Sequence, residues 1–196
     1  MTRVRHTGLL IAIRRFLRER RGVSAVEFAL VLPIMITLFI GGSEVTQGIT
    51  IKRKVTIATR TIADLVSQDT SITDADLTAI FAATSTVLAP FPGGSLKMKI
   101  SNIYIDADGK ASVVWGAAHN GAIARTAGEV VTLPDGLNAF EKTSLLWAES
   151  EYTYTPTIGY VISGPIGLKD KLYLRPRLTN CIERVTGGKT IDCPKT

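Results

Sequence analysis

One acidic residue, Glu27, lies inside an otherwise apolar stretch that runs from Val23 to Gly42. A carboxylate at that depth in hydrocarbon costs roughly 2.5–3.5 kcal/mol on insertion scales, so its presence needs a chemical reason. Cleavage of the chain after Gly22 would supply one, because it creates a new α-amino group on Val23. That amine has a reference pKa of about 8 and is mostly charged at neutral pH. The spacing therefore brings a carboxylate and a potential cation to the same end of the stretch.

Two interpretations of Glu27 remain open. In an assembly of parallel helices, its carboxylate pairs with the new amine of a neighbouring subunit, and in a low-dielectric surrounding such a pair favours one axial register. In the alternative, the carboxylate is neutral or reaches the cytoplasmic edge of the membrane, which lies one helical turn away.

The apolar stretch has the length and composition of a membrane span. From Val23 to Gly42 it extends about 30 Å as a helix, which matches the hydrocarbon core of a bilayer. Pro33 lies inside it and predicts a kink. Residues 1–22 carry seven arginines and one glutamate, whereas the rest of the chain has equal numbers of basic and acidic residues. The positive-inside rule then places residues 1–22 in the cytoplasm and residues 43–196 across the membrane.

The amino-terminal region also has three other interpretations: a signal peptide, a twin-arginine signal and an uncleaved anchor. Cleavage by signal peptidase near Gly42 is disfavoured by the bulky Ile40 and by the acid within the stretch. A twin-arginine signal is disfavoured because Phe16 directly follows the arginine pair. An uncleaved anchor stays open. The apolar run of residues 9–13 is too short to span a membrane, so it belongs to a removable leader or lies on the inner membrane surface.

The segment 21–33 is Arg-Gly-Val-Ser-Ala-Val-Glu-Phe-Ala-Leu-Val-Leu-Pro. Glu27 is the fifth residue counted from Val23, Phe28 follows it, and Pro33 lies in the apolar run. This pattern resembles the processing region of TadE/TadG-like pilus-assembly proteins, the pseudopilins of the tight-adherence (Flp) pilus system. Many type IV pilins start their mature chain with Phe where this chain has Val23.

The resemblance implies a minor pilin-like component, a pseudopilin, for assembly of a tight-adherence type IV pilus. The chain would be an inner-membrane prepilin with a periplasmic head, cut by prepilin peptidase between Gly22 and Val23. Glu27 and Phe28 would serve assembly. The implied partners are the peptidase, pilin and other pseudopilin subunits and the inner-membrane assembly platform, with incorporation into an extracellular pilus as a further expectation. The alternative is an uncleaved single-span module whose periplasmic head binds another envelope component.

A second apolar pattern follows the span. Residues at spacings of four and three predict that residues 43–67 extend the transmembrane helix, against an alternative break at Gly41-Gly42: Ile51, Val55, Ala58, Ile62 and Leu65. The basic residues 52–54 are expected to face solvent, with lipid headgroups as the alternative. A second helix begins after Ser71 or Thr73, either of which can cap it.

Alternating apolar residues in the head, residues 68–196, predict a small antiparallel sheet. The expected strands cover residues 96–105, 112–115, 145–154, 158–162 and 171–178. Residues 106–109 form a turn, and residues 116–140 are predicted as loops with a short helix near 137–142. The fold class is therefore α+β: a long amino-terminal transmembrane helix and a second helix packed on an antiparallel sheet, as in pilins.

Several function classes are excluded or disfavoured. The charge-neutral head offers no phosphate-tracking face, so nucleic-acid binding is not expected. We expect no enzyme, catalytic residue, metal, cofactor or small-molecule substrate, because His119 sits alone in a predicted loop. Glu149 and Glu151 share one face of a strand and could form a carboxylate pair, but at the rim of a strand they are interpreted as solvated carboxylates.

The two cysteines, Cys181 and Cys193, are twelve residues apart and fit no metal-ligand spacing. In an exported head they are expected to form a disulfide worth about 3 kcal/mol, with free thiols as the alternative.

Overall fold

The computed structural model describes residues 21–137, 141–156, 159 and 164–194. Two α-helices lie in this part of the chain, α1 (Arg21–Ser67) and α2 (Asp74–Ser85), and two 3-10 helices follow them at Thr86–Leu88 and Gly93–Ser95. The strands, in chain order, are β1 (Ser71–Thr73), β2 (Leu96–Ile105), β3 (Ala111–His119), β4 (Val130–Val131), β5 (Thr143–Tyr154), β6 (Ile166–Leu174), β7 (Glu183–Thr186) and β8 (Lys189–Ile191).

Helix α1 is continuous over 47 residues, so the alternative of a break at Gly41-Gly42 is wrong. Its second half packs on the sheet through the predicted apolar stripe. Four of the five predicted residues are almost fully buried: Ile51, Val55, Ala58 and Ile62. Leu65 is only partly buried, and Val66 takes its place in the core. One continuous helix therefore joins the apolar stretch to the centre of the head.

Helix α2 begins with a reciprocal cap, as the Ser/Thr-rich segment before it predicts. The hydroxyl of Thr73 accepts a hydrogen bond from the Asp76 main-chain N–H at 3.2 Å, and Asp76 Oδ2 accepts one from the Thr73 N–H at 3.0 Å. Leu77, Phe81 and Thr84 form its buried face. This arrangement satisfies two amide groups that a helix amino terminus otherwise leaves unpaired.

The main sheet has five antiparallel strands in the order β4-β3-β2-β5-β6. One face of its central strands packs on α1 and α2 through side chains such as Met98, Ile100, Leu146 and Ala148. The opposite face holds a smaller apolar cluster that includes Ile103, Val113 and Leu133. The predicted α+β, pilin-like fold is thus confirmed.

A second sheet at the carboxyl end was not predicted. Its order is β1-β7-β8, in which β1 runs parallel to β7 and β7-β8 is an antiparallel hairpin. Because β1 pairs with residues more than 100 positions away, short-range sequence patterns carry no sign of it.

Several predicted bounds need correction. The strand expected at 112–115 extends from Ala111 to His119, so residues 116–119 are not a loop. The strand expected at 171–178 is Ile166–Leu174, since Pro176 cannot continue a ladder of main-chain hydrogen bonds. The predicted short helix near 137–142, the strand at 158–162 and the run at 9–13 fall wholly or largely on residues outside those described.

Candidate processing and assembly site

The predicted cleavage junction lies in the first turn of α1. A Cβ atom built on Gly22 would have no described atom within 4 Å, and Val23 is 56% exposed. No described residue of the head therefore covers the junction at these two positions. Glycine also places no side chain against an approaching enzyme.

Glu27 follows Val23 by four residues, so it lies about 6 Å farther along the axis on the same side of α1. Its side chain is exposed, and it forms no ion pair within the described part of the chain. Phe28 beside it is 60% exposed. A carboxylate in an apolar segment that pairs with no cation among the described residues is suited to one supplied by another molecule.

The first half of α1 projects from the head with its apolar side chains uncovered. The helix is long and apolar enough to cross a membrane, and none of its most apolar window is buried. Its exposed large side chains include Val26, Leu30, Val31, Ile34, Met35, Ile36, Leu38 and Phe39. A surface of this size is a membrane or protein contact in a stable molecule.

The projecting half of α1 enters the head at a joint formed by Glu44, Gly48 and Tyr154. Glu44 is 3% exposed, and its main-chain oxygen accepts a hydrogen bond from the Tyr154 hydroxyl at 3.4 Å. Gly48 leaves room for the tyrosine ring. Burial raises the pKa of the Tyr154 hydroxyl, and the nearby Glu44 carboxylate raises it further. This joint was not predicted from the sequence. The signal that could have indicated it is Glu44 itself, the next acidic residue after Glu27.

The basic residues 52–54 do not share one environment. Lys52 forms an ion pair with Asp170 of β6, with Nζ and Oδ1 3.5 Å apart. Lys54 donates from Nζ to the main-chain oxygen of Val87 at 3.1 Å. Arg53 is exposed, whereas Lys52 and Lys54 are partly buried. The expected solvated face is therefore correct for Arg53 alone, and the two lysines hold α1 against the head.

The carboxylate pair considered on β5 is divided between different cations. Glu149 lies 3.2 Å from Lys99 and 2.5 Å from Arg125, whereas Glu151 lies 3.1 Å from Lys169. Glu149 is half-buried, so the expectation that it is a freely solvated carboxylate is wrong. Both groups are engaged as ion-pair acceptors, an arrangement that favours a structural role.

Arg125 also fixes the loop between β3 and β4. Its guanidinium lies 3.5 Å from the centroid of the Trp147 ring, which in turn contacts Tyr173 with ring centroids 5.1 Å apart. Cation–π contact of this kind is favourable where water is partly excluded. Burial raises the pKa of the Tyr173 hydroxyl, with a smaller contribution from Glu149.

His119 closes β3 and does not lie in a loop as predicted. Its ring stacks on Phe81 of α2, with centroids 5.3 Å apart. Among the described residues, no group of three or more His, Cys, Asp or Glu side chains is placed to hold a metal ion. The histidine therefore has a packing role in this fold.

A disulfide joins Cys181 to Cys193, whose Cα atoms are 6.0 Å apart. Next to it, the main-chain oxygen of Ile182 accepts hydrogen bonds from Asn102 Nδ2 at 2.8 Å and Trp115 Nε1 at 2.7 Å. The disulfide and the hydrogen bonds from Asn102 and Trp115 together attach the carboxyl-terminal hairpin to the centre of the main sheet.

Comparison with known proteins gives one match. Residues 22–64 match a family model described as TadE-like protein, and this range covers the junction, Glu27, the apolar span and most of the helix extension. Neither the curated proteins nor the solved structures contain a significant match to the chain.

Proposed function

We propose, from the premise that residues 22–64 are a TadE-like domain and that the chain is a Tad pilus-associated protein, that it acts as a minor pseudopilin. In this role it is inserted in the inner membrane as a prepilin with its head in the periplasm. Prepilin peptidase cuts it after Gly22. The processed subunit then takes part in assembly of a tight-adherence type IV pilus.

The observation that carries the proposal is the division of α1 into two halves. Up to residue 40 its side chains are almost all exposed and apolar, whereas from Ile51 onward one side of the same helix forms the core of the head. An ordinary anchor needs only a span and a linker. A helix that is continuous from membrane to head transmits position and orientation rigidly, as a subunit in a helical assembly requires.

Cleavage at the junction would supply a cation for Glu27, which pairs with none of the described residues. The new amine on Val23 lies within about one helical turn of that carboxylate along the axis. A neighbour displaced by about 6 Å would bring its own Glu27 level with the amine. Because the pair forms in a low-dielectric surrounding, it stabilises one axial displacement between neighbouring subunits more than any other.

The partners follow from these steps. The peptidase binds the exposed junction, the assembly platform and other pilin-like subunits contact the apolar half of α1, and Phe28 packs in that contact. The seven arginines of residues 1–22 would hold the junction at the cytoplasmic edge of the membrane. A role in priming or at a tip suits a chain with so large a head better than a bulk filament role.

Replacing Glu27 by Ala tests the assembly step. We expect Glu27→Ala to leave the head folded and the membrane level unchanged but to lower recovery of the chain in sheared pilus fractions or in complexes with other subunits. Asp108→Ala is a matched control, because it also removes one exposed carboxylate but lies in the turn between β2 and β3, outside α1. Equal incorporation of Glu27→Ala and the unaltered chain would contradict the proposed pairing.

A further inference from the structure

Helix α1 carries exposed apolar side chains beyond the part that a membrane can cover. Ile49 is 52% exposed and Ile57 is 51% exposed. At about 1.5 Å per residue they lie about 10 Å and about 22 Å beyond Gly42, the end of the membrane-length stretch. The headgroup layer on one side of a bilayer is only about 5–8 Å thick. Lipid therefore does not cover Ile57.

Ile57 borders a groove of about 380 Å³ between α1 and β6. Leu65, Leu172 and Leu174 contribute apolar surface to it, and Arg60 lies at its rim. Strand β6 is the last strand of the main sheet on this side. The groove thus has apolar side chains of α1 on one side and of the last described strand of the main sheet on the other.

The charges beside this groove are unbalanced. Arg53 and Arg60 are exposed, lie within about 40° of Ile49 around the helix axis, and form no ion pair with any described residue. Asp64, the nearest acid on the same side, is already paired with Arg177 of the segment after β6. We call the outer side of α1 from Ile49 to Leu65, with its groove, the outer α1 face.

We propose that the outer α1 face binds a companion subunit: a different membrane-anchored chain whose helix runs parallel to α1 and presents apolar side chains flanked by Asp or Glu. Apolar contact would cover Ile49 and Ile57, and the acids would pair with Arg53 and Arg60. This inference rests on the proposed function for the orientation of the anchor, but it does not depend on cleavage.

A second copy of the chain related to the first by a two-fold axis fits this face poorly. Two copies anchored in one membrane with the same orientation have parallel helices, and a two-fold contact through this face would set Arg53 against Arg53 and Arg60 against Arg60. Like charges opposed across an interface disfavour association. The unbalanced arginines therefore select an acidic partner helix.

Site-specific photo-crosslinking tests the proposal in membranes of cells that produce the full chain and epitope-tagged single-span subunits of the same pilus system. A photoreactive side chain replaces Ile57 in one variant and Ile123 in the control. Ile123 is 86% exposed in the loop over the opposite face of the sheet. We expect an adduct from position 57, and none from position 123, with a tagged subunit that is not this chain.

Peptide mapping of the adduct should identify a helix with at least one Asp or Glu within one turn of the crosslink. Arg60→Glu should then lower the adduct yield roughly tenfold, and reversal of the partner acid to Arg should restore it. A self-adduct, an adduct with lipid alone, equal labelling at both positions, or no adduct would each overturn the proposal.

The amino-terminal mass of the chain in the same membranes separates this proposal from the proposed function. An adduct formed by a chain that retains residues 1–22 would refute cleavage and leave the companion contact standing. A chain that begins at Val23 but gives no adduct would refute the companion contact alone.

Discussion

Arg184 of β7 and Asp74, the first residue of α2, are joined by two hydrogen bonds from the guanidinium to Oδ1, at 2.9 Å from Nη2 and 3.2 Å from Nε. Thr186 donates to the other carboxylate oxygen at 2.6 Å. A third guanidinium nitrogen, Nη1, donates to the main-chain oxygen of Gly116 at 2.5 Å. One carboxylate and one arginine thereby connect α2, the carboxyl-terminal hairpin and the main sheet.

This cluster predicts a loss of stability in acid. The hydrogen bonds from Thr186 and Arg184 lower the pKa of Asp74 below the ordinary value of an aspartate side chain. A carboxyl group whose pKa is lower in the folded state stabilises that state fully at pH values above its unfolded pKa. This contribution to stability is lost as the pH falls from the unfolded pKa through the lower folded pKa. We expect Asp74→Asn to reduce stability at pH 7 and to flatten the decline below about pH 4.

Urea denaturation of the full chain in detergent, followed by tryptophan fluorescence between pH 2.5 and 7, measures this effect. Asp108→Asn is the matched control, because Asp108 is exposed at the tip of the β2-β3 turn and its carboxylate forms no ion pair with the described residues. If the free energy of unfolding of Asp74→Asn falls in acid as steeply as that of the unaltered chain, Asp74 is not the cause of the acid instability.

The disulfide gives a second prediction. Cys193→Ser opens a loop of twelve residues and should lower the free energy of unfolding by about 3 kcal/mol, since the unfolded chain regains the freedom that the bond removes. Cys193 is the better position because the sulfur of Cys181 also accepts a hydrogen bond from Asn102 at 3.3 Å. The comparison is the unaltered chain with and without reductant. Equal urea midpoints for the oxidised chain and Cys193→Ser would contradict the prediction.

Two glycines should respond to alanine in opposite directions. At Gly48, within α1, a Cβ would lie 3.7 Å from the Tyr154 ring, which is an ordinary contact, so Gly48→Ala should stabilise the helix by up to about 1 kcal/mol. At Gly116, in β3, a Cβ would lie 2.5 Å from the main-chain oxygen of Arg125. Gly116→Ala should therefore destabilise the head, because the loop between β3 and β4 must move.

Thermal unfolding of the two variants beside the unaltered chain decides this prediction. A lower midpoint for Gly48→Ala would mean that the joint with Tyr154 is tighter than the structure shows. A midpoint for Gly116→Ala that matches the unaltered chain would mean that the Arg125 loop is free to shift.

The sequence predicted those elements that local patterns encode. The stripe from Ile51 to Ile62 and the cap at Thr73 depend on residues three or four positions apart, so α1 and the start of α2 could be predicted. Strand β5 was predicted from another local signal, its tryptophan and tyrosine residues. Long-range pairs leave no such pattern, which is why β1 with β7, and Glu149 with Arg125, were missed.

Some residues of the candidate site could be predicted from the sequence, and others could not. Gly22, Val23, Glu27 and Phe28 were identified from spacing and from a family resemblance, and the structure adds that all four are exposed on one helix. The joint at Glu44 and Tyr154 joins residues 110 positions apart and required coordinates. In the proposed assembly the amine that pairs with Glu27 belongs to another subunit, so the structure of one chain does not show the pair.

The account depends most on whether the chain is cut between Gly22 and Val23, and mass spectrometry of its amino terminus in membranes tests this directly. Cells with active and with inactivated prepilin peptidase are compared. The account predicts a mature chain that begins at Val23 only where the peptidase is active. A chain that keeps residues 1–22 in both samples, or that begins at another residue, would contradict it.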